Sequence, residues 1–287
     1  MSETLSPVVP EQARVRPTPV GWIVGICAVV AAAAIFLTPL LWMIFTSFKT
    51  YKDITSYPPG LLPTQFTFTN YIQMWGRLNF PKLTLNTVVF AAGVTAFALV
   101  FDAMAAYALA RLEFPGRGLI FGIILASLMI PPEIRLVPVF NLVTSMGLLN
   151  TYAGLILPRA ADAFGIFLLR QFFLAIPRDL EDAGRVDGAS EFRIFRSLIL
   201  PLSRPALFTL GLFLFMANWN DLLWPLIMST NGDLATLPSG LAAFKGQHVT
   251  EYGPLMAGSV LAMLPMFVAF FFVQKSFVQS IASTGLK

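Results

Sequence analysis

The chain has 287 residues, 56% of them hydrophobic and only 12% charged, with a formal net charge of +4. A soluble domain carries about 25% charged residues, so a water-bathed globule is excluded and membrane lipid must cover most of the exterior. The basic residues are scattered in short segments between apolar runs and form no cationic face of the kind that grips a phosphate backbone, which excludes nucleic acid as a partner.

Six apolar runs follow in order. Val20–Phe48 holds 29 residues without a charge, about 43 Å as a helix where the hydrocarbon core needs ~30 Å. The apolar part of a signal peptide spans about 7–15 residues, so this run reads as an uncleaved first span. Its Cys27, the one cysteine, is expected to be a buried and inert thiol. Further runs are Leu83–Ala110, Gly118–Val143, Thr151–Phe173, Ser203–Met228 and Tyr252–Gln274. The third is interrupted or kinked by Pro131, Pro132 and Pro138, which remove backbone donors. Runs this long and continuous are helices, not barrel strands. The expected fold is therefore an all-α integral membrane protein with six transmembrane helices (20–277), an N-terminal tail 1–19 and a C-terminal tail 278–287.

Lys and Arg set the orientation. The two tails with the second–third and fourth–fifth connections hold 12 of them, against 5 in the other three connections (Lys49, Lys52, Arg77, Lys82 and Lys245). The first set is predicted cytoplasmic, so both termini face the cytoplasm across the cell's inner membrane. On the outer side, Lys49–Lys82 is rich in proline and aromatic residues and reads as an ordered loop. Ser229–Glu251 carries the turn triplet Asn231-Gly232-Asp233. The single histidine, His248, reads as a solvated loop residue and has no partners for a metal site.

Between the fourth and fifth runs lies a charged segment, 178–201, with Glu181, Asp182, Asp187 and Glu191 beside Ala183, Gly184, Gly188 and Ala189. Pro177 ends what precedes it, and Asp179 is placed to cap a new helix and complement its positive end. Gly188 allows a bend, and Ser190 is a second cap. After it Phe192, Phe195, Leu198 or Ile199, and Leu202 form an apolar stripe at helical spacing. The pattern describes two short helices at the cytoplasmic membrane surface, the second packed on the bundle and the first turned outward. A plain solvated connector would satisfy the same composition.

Within the spans, polar residues are costly unless they face protein or water. Asn218, Trp219, Asn220 and Asp221 combine hydrogen-bonding groups with a stacking face and are candidates for a solute path. The same residues could instead cap a kink before Pro225 or bond between helices. Asp102 and an Arg159/Asp162 pair read as interhelical ties. No phosphate-loop pattern, catalytic dyad or metal cluster occurs, so no cofactor and no enzymatic activity are expected of this chain.

The segment resembles the cytoplasmic motif of permease subunits of binding-protein-dependent ABC importers: EAA, three residues, G, nine residues, I, one residue, LP. Asp182, Ala183 and Gly184 stand at EAA, Gly188 at G, and Leu198 to Pro201 at the close. Asp for Glu, Gly for Ala and Leu for Ile keep charge sign, smallness or apolarity. "YALARLEFPGR", "MIPPEIRLVPVF", "NWNDLLWPL", "LPLSRPAL" and "FVQSIASTGLK" are similar to the carbohydrate-importer branch, most of all to the maltose-type second permease subunits. The resemblance implies a coupling helix (Glu181, Asp182, Ala183, Gly184, Asp187, Gly188 and Ala189) seated on one of two ATP-binding subunits. It also implies a second, homologous permease, and a sugar-binding protein touched outside by Asn231–Glu251. A carbohydrate would be the solute. A permease for a non-sugar solute, an ion-coupled carrier and an integral-membrane enzyme are the competing functions. The matched coupling motif argues against the carrier, and a lone histidine without clustered acids argues against the enzyme.

Overall fold

A computed structural model describes residues 19–246 and 249–284. Among these residues the chain is helical, and the one β feature is an isolated bridge between Lys245 and Thr250. The tail before Pro19, His248 and the last three residues lie outside the described residues.

The first run forms α1 (Pro19–Ser47). It packs against the last helix and leaves nearly all of its surface uncovered. Cys27 is consequently exposed on the outside of α1, and the expectation of a buried thiol is corrected. An apolar run buries its residues only where a neighbour covers them, and here lipid-compatible surface takes that place. The outer loop then folds back on itself through α2 (Tyr51–Thr55) and α3 (Thr69–Arg77). Asp53 accepts from Thr64 N–H and Oγ–H at 3.1 and 2.7 Å. The Phe48 ring meets those of Phe68 and Tyr71 at 5.4 and 5.2 Å, so the predicted ordered loop is ordered by named contacts.

The second run becomes α4 (Phe80–Arg111), started by Asn79 accepting from Lys82 N–H and ended by a cation that suits the negative helix terminus. It is the axis of the molecule. Ala103, Ala106 and Ala110 present small side chains, which let Leu169 and Phe173 of the fourth run and Ile194, Phe195 and Ile199 of the charged segment pack in one core. Nearer the outer end, Phe90 and Val94 pack with Val143, Leu155, Trp224 and Met228 in another.

Three of the remaining runs are broken. The third splits into α5 (Arg117–Leu128) and α6 (Pro132–Ser145), which meet at 103°. Pro131 and Pro132 make the break, whereas Pro138 sits inside α6 without ending it. A 12-residue helix spans about 18 Å, so neither half crosses a ~30 Å core alone. The fourth consists of α7 (Tyr152–Ile156), a 3₁₀ turn at Leu157–Arg159 and α8 (Ala163–Ala175), bent by 45°. The charged segment carries α9 (Asp179–Val186), α10 (Glu191–Ile194), a π-helical turn at Phe195–Ile199 and α11 (Leu200–Leu202). A 77° break at Ser203 leads into α12 (Arg204–Trp219), and α13 (Leu223–Met228) follows the interruption at Asn220–Leu222. After α14 (Leu237–Leu241), α15 (Tyr252–Thr284) closes the chain, running past position 277 where the predicted span ends. Among the described residues, two helices are long and apolar enough to cross a membrane on their own (Trp22–Ser47 and Phe80–Arg111), three bent pairs qualify when each is taken as one span, and Tyr252–Val268 is a shorter apolar stretch.

Candidate functional site

The charged segment folds as two short helices about a bend. The left-handed φ of +78° at Gly188 makes the turn. Ala189 N–H then reaches Gly184 O at 2.9 Å and Gly188 N–H reaches Arg185 O at 3.0 Å, so the last carbonyls of α9 are closed by a Schellman pattern. Ser190 caps α10 by accepting from Arg193 N–H, as its position predicts. Asp179 does not cap α9: Arg178 occupies that position without a side-chain bond, and Asp179 acts only as a first-turn acid beside the positive helix end. The predicted stripe is also shifted. Phe195 and Ile199 are buried, but Phe192 and Leu202 are exposed and Ile194 is buried instead. The π turn adds a residue per turn locally and rotates the following side chains out of the simple 3.6-residue register.

The seven candidate coupling residues divide into three groups. Asp182, Ala183, Asp187 and Gly188 are exposed on the outer face of α9 with Val186, which is 87% exposed. Gly184 and Ala189 are half-buried, and a Cβ on Gly184 would meet Ile194 at 3.5 Å, an ordinary contact, so alanine would fit there as well. Glu181 faces the opposite way. Its side chain is 2% exposed, and its Oε1 lies 2.9 Å from Nε of Arg111, itself 2% exposed. That contact is an ion pair without hydrogen-bond alignment, and Arg111 donates instead to the carbonyls of Phe173 and Ile176 at the end of α8. Sequence reasoning missed this pair; the available signal was an arginine closing an apolar run and two adjacent acids that helical geometry turns to different faces.

Arg185 joins the pieces. It donates to Asp182 at 2.6 Å and to Glu191 at 2.7 Å, and Glu191 accepts from the Tyr107 hydroxyl at 2.8 Å. The Arg185 hydrogen bond, aided by Tyr107, holds the Glu191 carboxyl below its ordinary 4.5. Arg185 is pushed further up by the same partner.

The other candidate residues, 218–221, do not form one cluster. Asn218 is buried and donates to Leu214 O at 2.7 Å. Asp221 pairs with Arg159 at 2.5 Å and accepts from Trp224 N–H at 3.0 Å. Arg159 therefore ties the break in the fourth run to the break in the fifth, and the expected Arg159/Asp162 pair is corrected: Asp162 caps α8 through Gly165 N–H. Asp102 is an interhelical tie as its position suggests, accepting from Asp162 N–H at 2.8 Å. Trp219 and Asn220 together line a cavity of about 710 Å³ between α12, α14 and α15, with Met216, Leu241, Met263 and Phe267 as apolar wall. Lys245 and Ser259 add polar groups.

The outer turn is fastened to α4. Gly232 takes a φ of +77° and Asn231 accepts from Asp233 N–H, giving the predicted turn. Asn86 donates to the carbonyls of Asp233 and Ala235 at 3.1 and 2.9 Å and accepts from Tyr152. Thr87 accepts from Leu237 N–H at 2.8 Å.

Residues 99–283 match the family described as binding-protein-dependent transport system inner membrane component. A probable ABC transporter permease protein of Bacillus subtilis, YurM, is 34% identical over 99% of this chain and 96% of its own length. The diacetylchitobiose uptake system permease protein NgcG of Streptomyces coelicolor is 36% identical over 87% of this chain and 84% of its own. The sn-glycerol-3-phosphate transport system permease protein UgpE of Escherichia coli is 32% identical over 88% and 92%. The fold matches a crystal structure of a bacterial ABC transporter involved in import of the acidic polysaccharide alginate, with TM-score 0.79 at 24% identity over 94% of this chain and 100% of that one.

Proposed function

Because this chain belongs to the family of binding-protein-dependent transport system inner membrane components, we propose that it is the permease subunit through which an ATP-driven importer moves a sugar across the inner membrane. In this reading it is non-catalytic and spans the membrane six times with both termini cytoplasmic. It pairs with a second, homologous permease, and two separate ATP-binding subunits supply the energy. The observation that carries the reading is α9: a short helix closed by a left-handed glycine, braced from below, with Asp182, Ala183, Val186 and Asp187 facing out. Such a helix transmits displacement where a plain connector would give way. When the ATP-binding subunits close, α9 moves with the cleft that holds it, and the helices behind it reorient.

The sugar reading rests on relatives named for oligosaccharide uptake and on the cavity, where the exposed Asn220 offers an amide to hydroxyl groups beside the buried Trp219. The relative named for sn-glycerol-3-phosphate favours a second reading, a phosphorylated polyol, for which Lys245 is the cation in the cavity lining. Outside, the turn at Asn231–Asp233 meets the solute-binding protein. The test is the assembled complex in proteoliposomes. With Val186→Cys, a thiol-reactive crosslinker should join this chain to an ATP-binding subunit, and ATP should drive uptake of radiolabelled disaccharide over glycerol 3-phosphate. No crosslink and no ATP-dependent uptake would overturn the assignment.

A further inference from the structure

Beneath the exposed face of α9 lies an ion pair that a docking surface does not use. Arg111 and Glu181 are each 2% exposed, at 2.9 Å. Burying two charges is costly, and apolar residues of similar volume commonly pack as well or better, so stability alone gives no reason for the pair. Position does. Arg111 is the last residue of α4, and its guanidinium also holds the carbonyls of Phe173 and Ile176 at the close of α8. One cation thus grips three elements: α4 covalently, α8 by its carbonyl end, and α9 through Glu181.

One covalent route out of α9 is the short 176–178 link back to α8, and the other is compliant by comparison. Towards α12 the chain passes the bend at Gly188, the π turn at Phe195–Ile199 and the 77° break at Ser203. The route through Arg111 has no such joint. A second tie runs parallel to it, from Arg185 through Glu191 to the Tyr107 hydroxyl on α4. Gly165 tightens the same assembly, since a Cβ there would collide with Asp102 of α4.

We propose that Arg111 and Glu181 are positioning residues forming a strut that delivers displacement of α9 to α4 and α8 directly, ahead of α12. The inference rests on α9 being the coupling helix. Removing the strut leaves a permease that assembles but converts ATP hydrolysis into transport poorly.

The experiment uses the complete complex reconstituted with its binding protein, measuring solute moved per ATP hydrolysed. Glu181→Gln leaves a buried unpaired cation and is expected to lower that ratio at least tenfold. Because a buried unpaired cation also impairs folding, the deciding variant is the double Arg111→Met/Glu181→Leu, which removes both charges and keeps volume. A merely structural pair predicts wild-type transport per ATP in the double variant, and that result overturns the proposal. A strut predicts an assembled complex that still crosslinks from Val186→Cys, with the ratio down tenfold or more. A double variant that does not assemble would also overturn it, by making the pair a folding element. Failure of the Val186→Cys crosslink with Arg111 and Glu181 intact would instead refute the coupling-helix reading itself.

Discussion

Gly188 separates two contributions that are usually entangled. It holds a φ of +78°, and a Cβ built on it meets nothing within 4 Å. Gly188→Ala therefore tests backbone strain alone. Forcing an L-residue into the left-handed region costs about 1–2 kcal/mol, or roughly 5–30-fold in the population of the bend. Asn visits that region more readily, so Gly188→Asn should cost clearly less. Gly188→Trp adds bulk into space that is open in the isolated chain, so there it should behave like Ala. Any further loss on assembly then reports the surface that covers the bend. Thermal unfolding of the purified permease should rank Gly above Asn, with Ala and Trp together below. Capture of the ATP-binding subunits should fall far lower for Trp than for Ala. An Ala variant as stable as the parent would refute the strain argument, and a Trp variant that assembles like Ala would remove the bend from the interface.

Other expectations follow from the same geometry. In a double-mutant cycle, Arg159→Met and Asp221→Leu should couple by ~0.5–3 kcal/mol, as residues sharing one contact do; additive effects would mean that the two helix breaks are not tied. Asn86→Leu removes three hydrogen bonds, roughly 3 kcal/mol at about 1 kcal/mol each, and should expose the 229–241 turn to proteolysis while α9 stays protected. Glu191 has a folded pKa below its ordinary 4.5, with Arg185 the main cause. Its stabilising contribution is therefore complete above about pH 4.5 and lost as pH falls through the lower folded value. The α9–α10 bend, followed by a spin label at Val186→Cys, should be unchanged from pH 8 to 5 and loosen only at lower pH.

The apolar runs were legible because lipid imposes a continuous pattern about 20 residues long, which no packing detail can hide. The bend at Gly188 was legible because turn chemistry is local: a glycine, a cap at Ser190 and proline flanks decide it within a few residues. What stayed hidden involves contacts across the sequence. Arg159 was matched with Asp162, three residues away, yet it reaches Asp221, 62 residues on. Glu181 and Asp182 look equivalent in sequence, but a 100° step around α9 buries the first against Arg111 and exposes the second. Leu202 fell out of its predicted stripe because it follows a π turn, which has no simple sequence mark.

Orientation is the expectation from the charge count that is most directly open to test. Lys and Arg are concentrated in one set of connections, and the ion pairs outside the spans respect the same division. Arg111–Glu181 and Arg185–Glu191 lie within the basic-rich set. Lys82–Asp233 and Arg77–Glu251 lie within the other. Charge pairs that each stay within one set are what two faces separated by a hydrocarbon layer require. In a Cys27→Ser background, a membrane-impermeant maleimide should label Tyr57→Cys, at a side chain 96% exposed, in intact spheroplasts. Val186→Cys, similarly open, should react only after permeabilisation. The reverse pattern would put α9 outside the cell, where no ATP-binding subunit could reach it, and the charge rule, the coupling surface and the strut behind it would fall together.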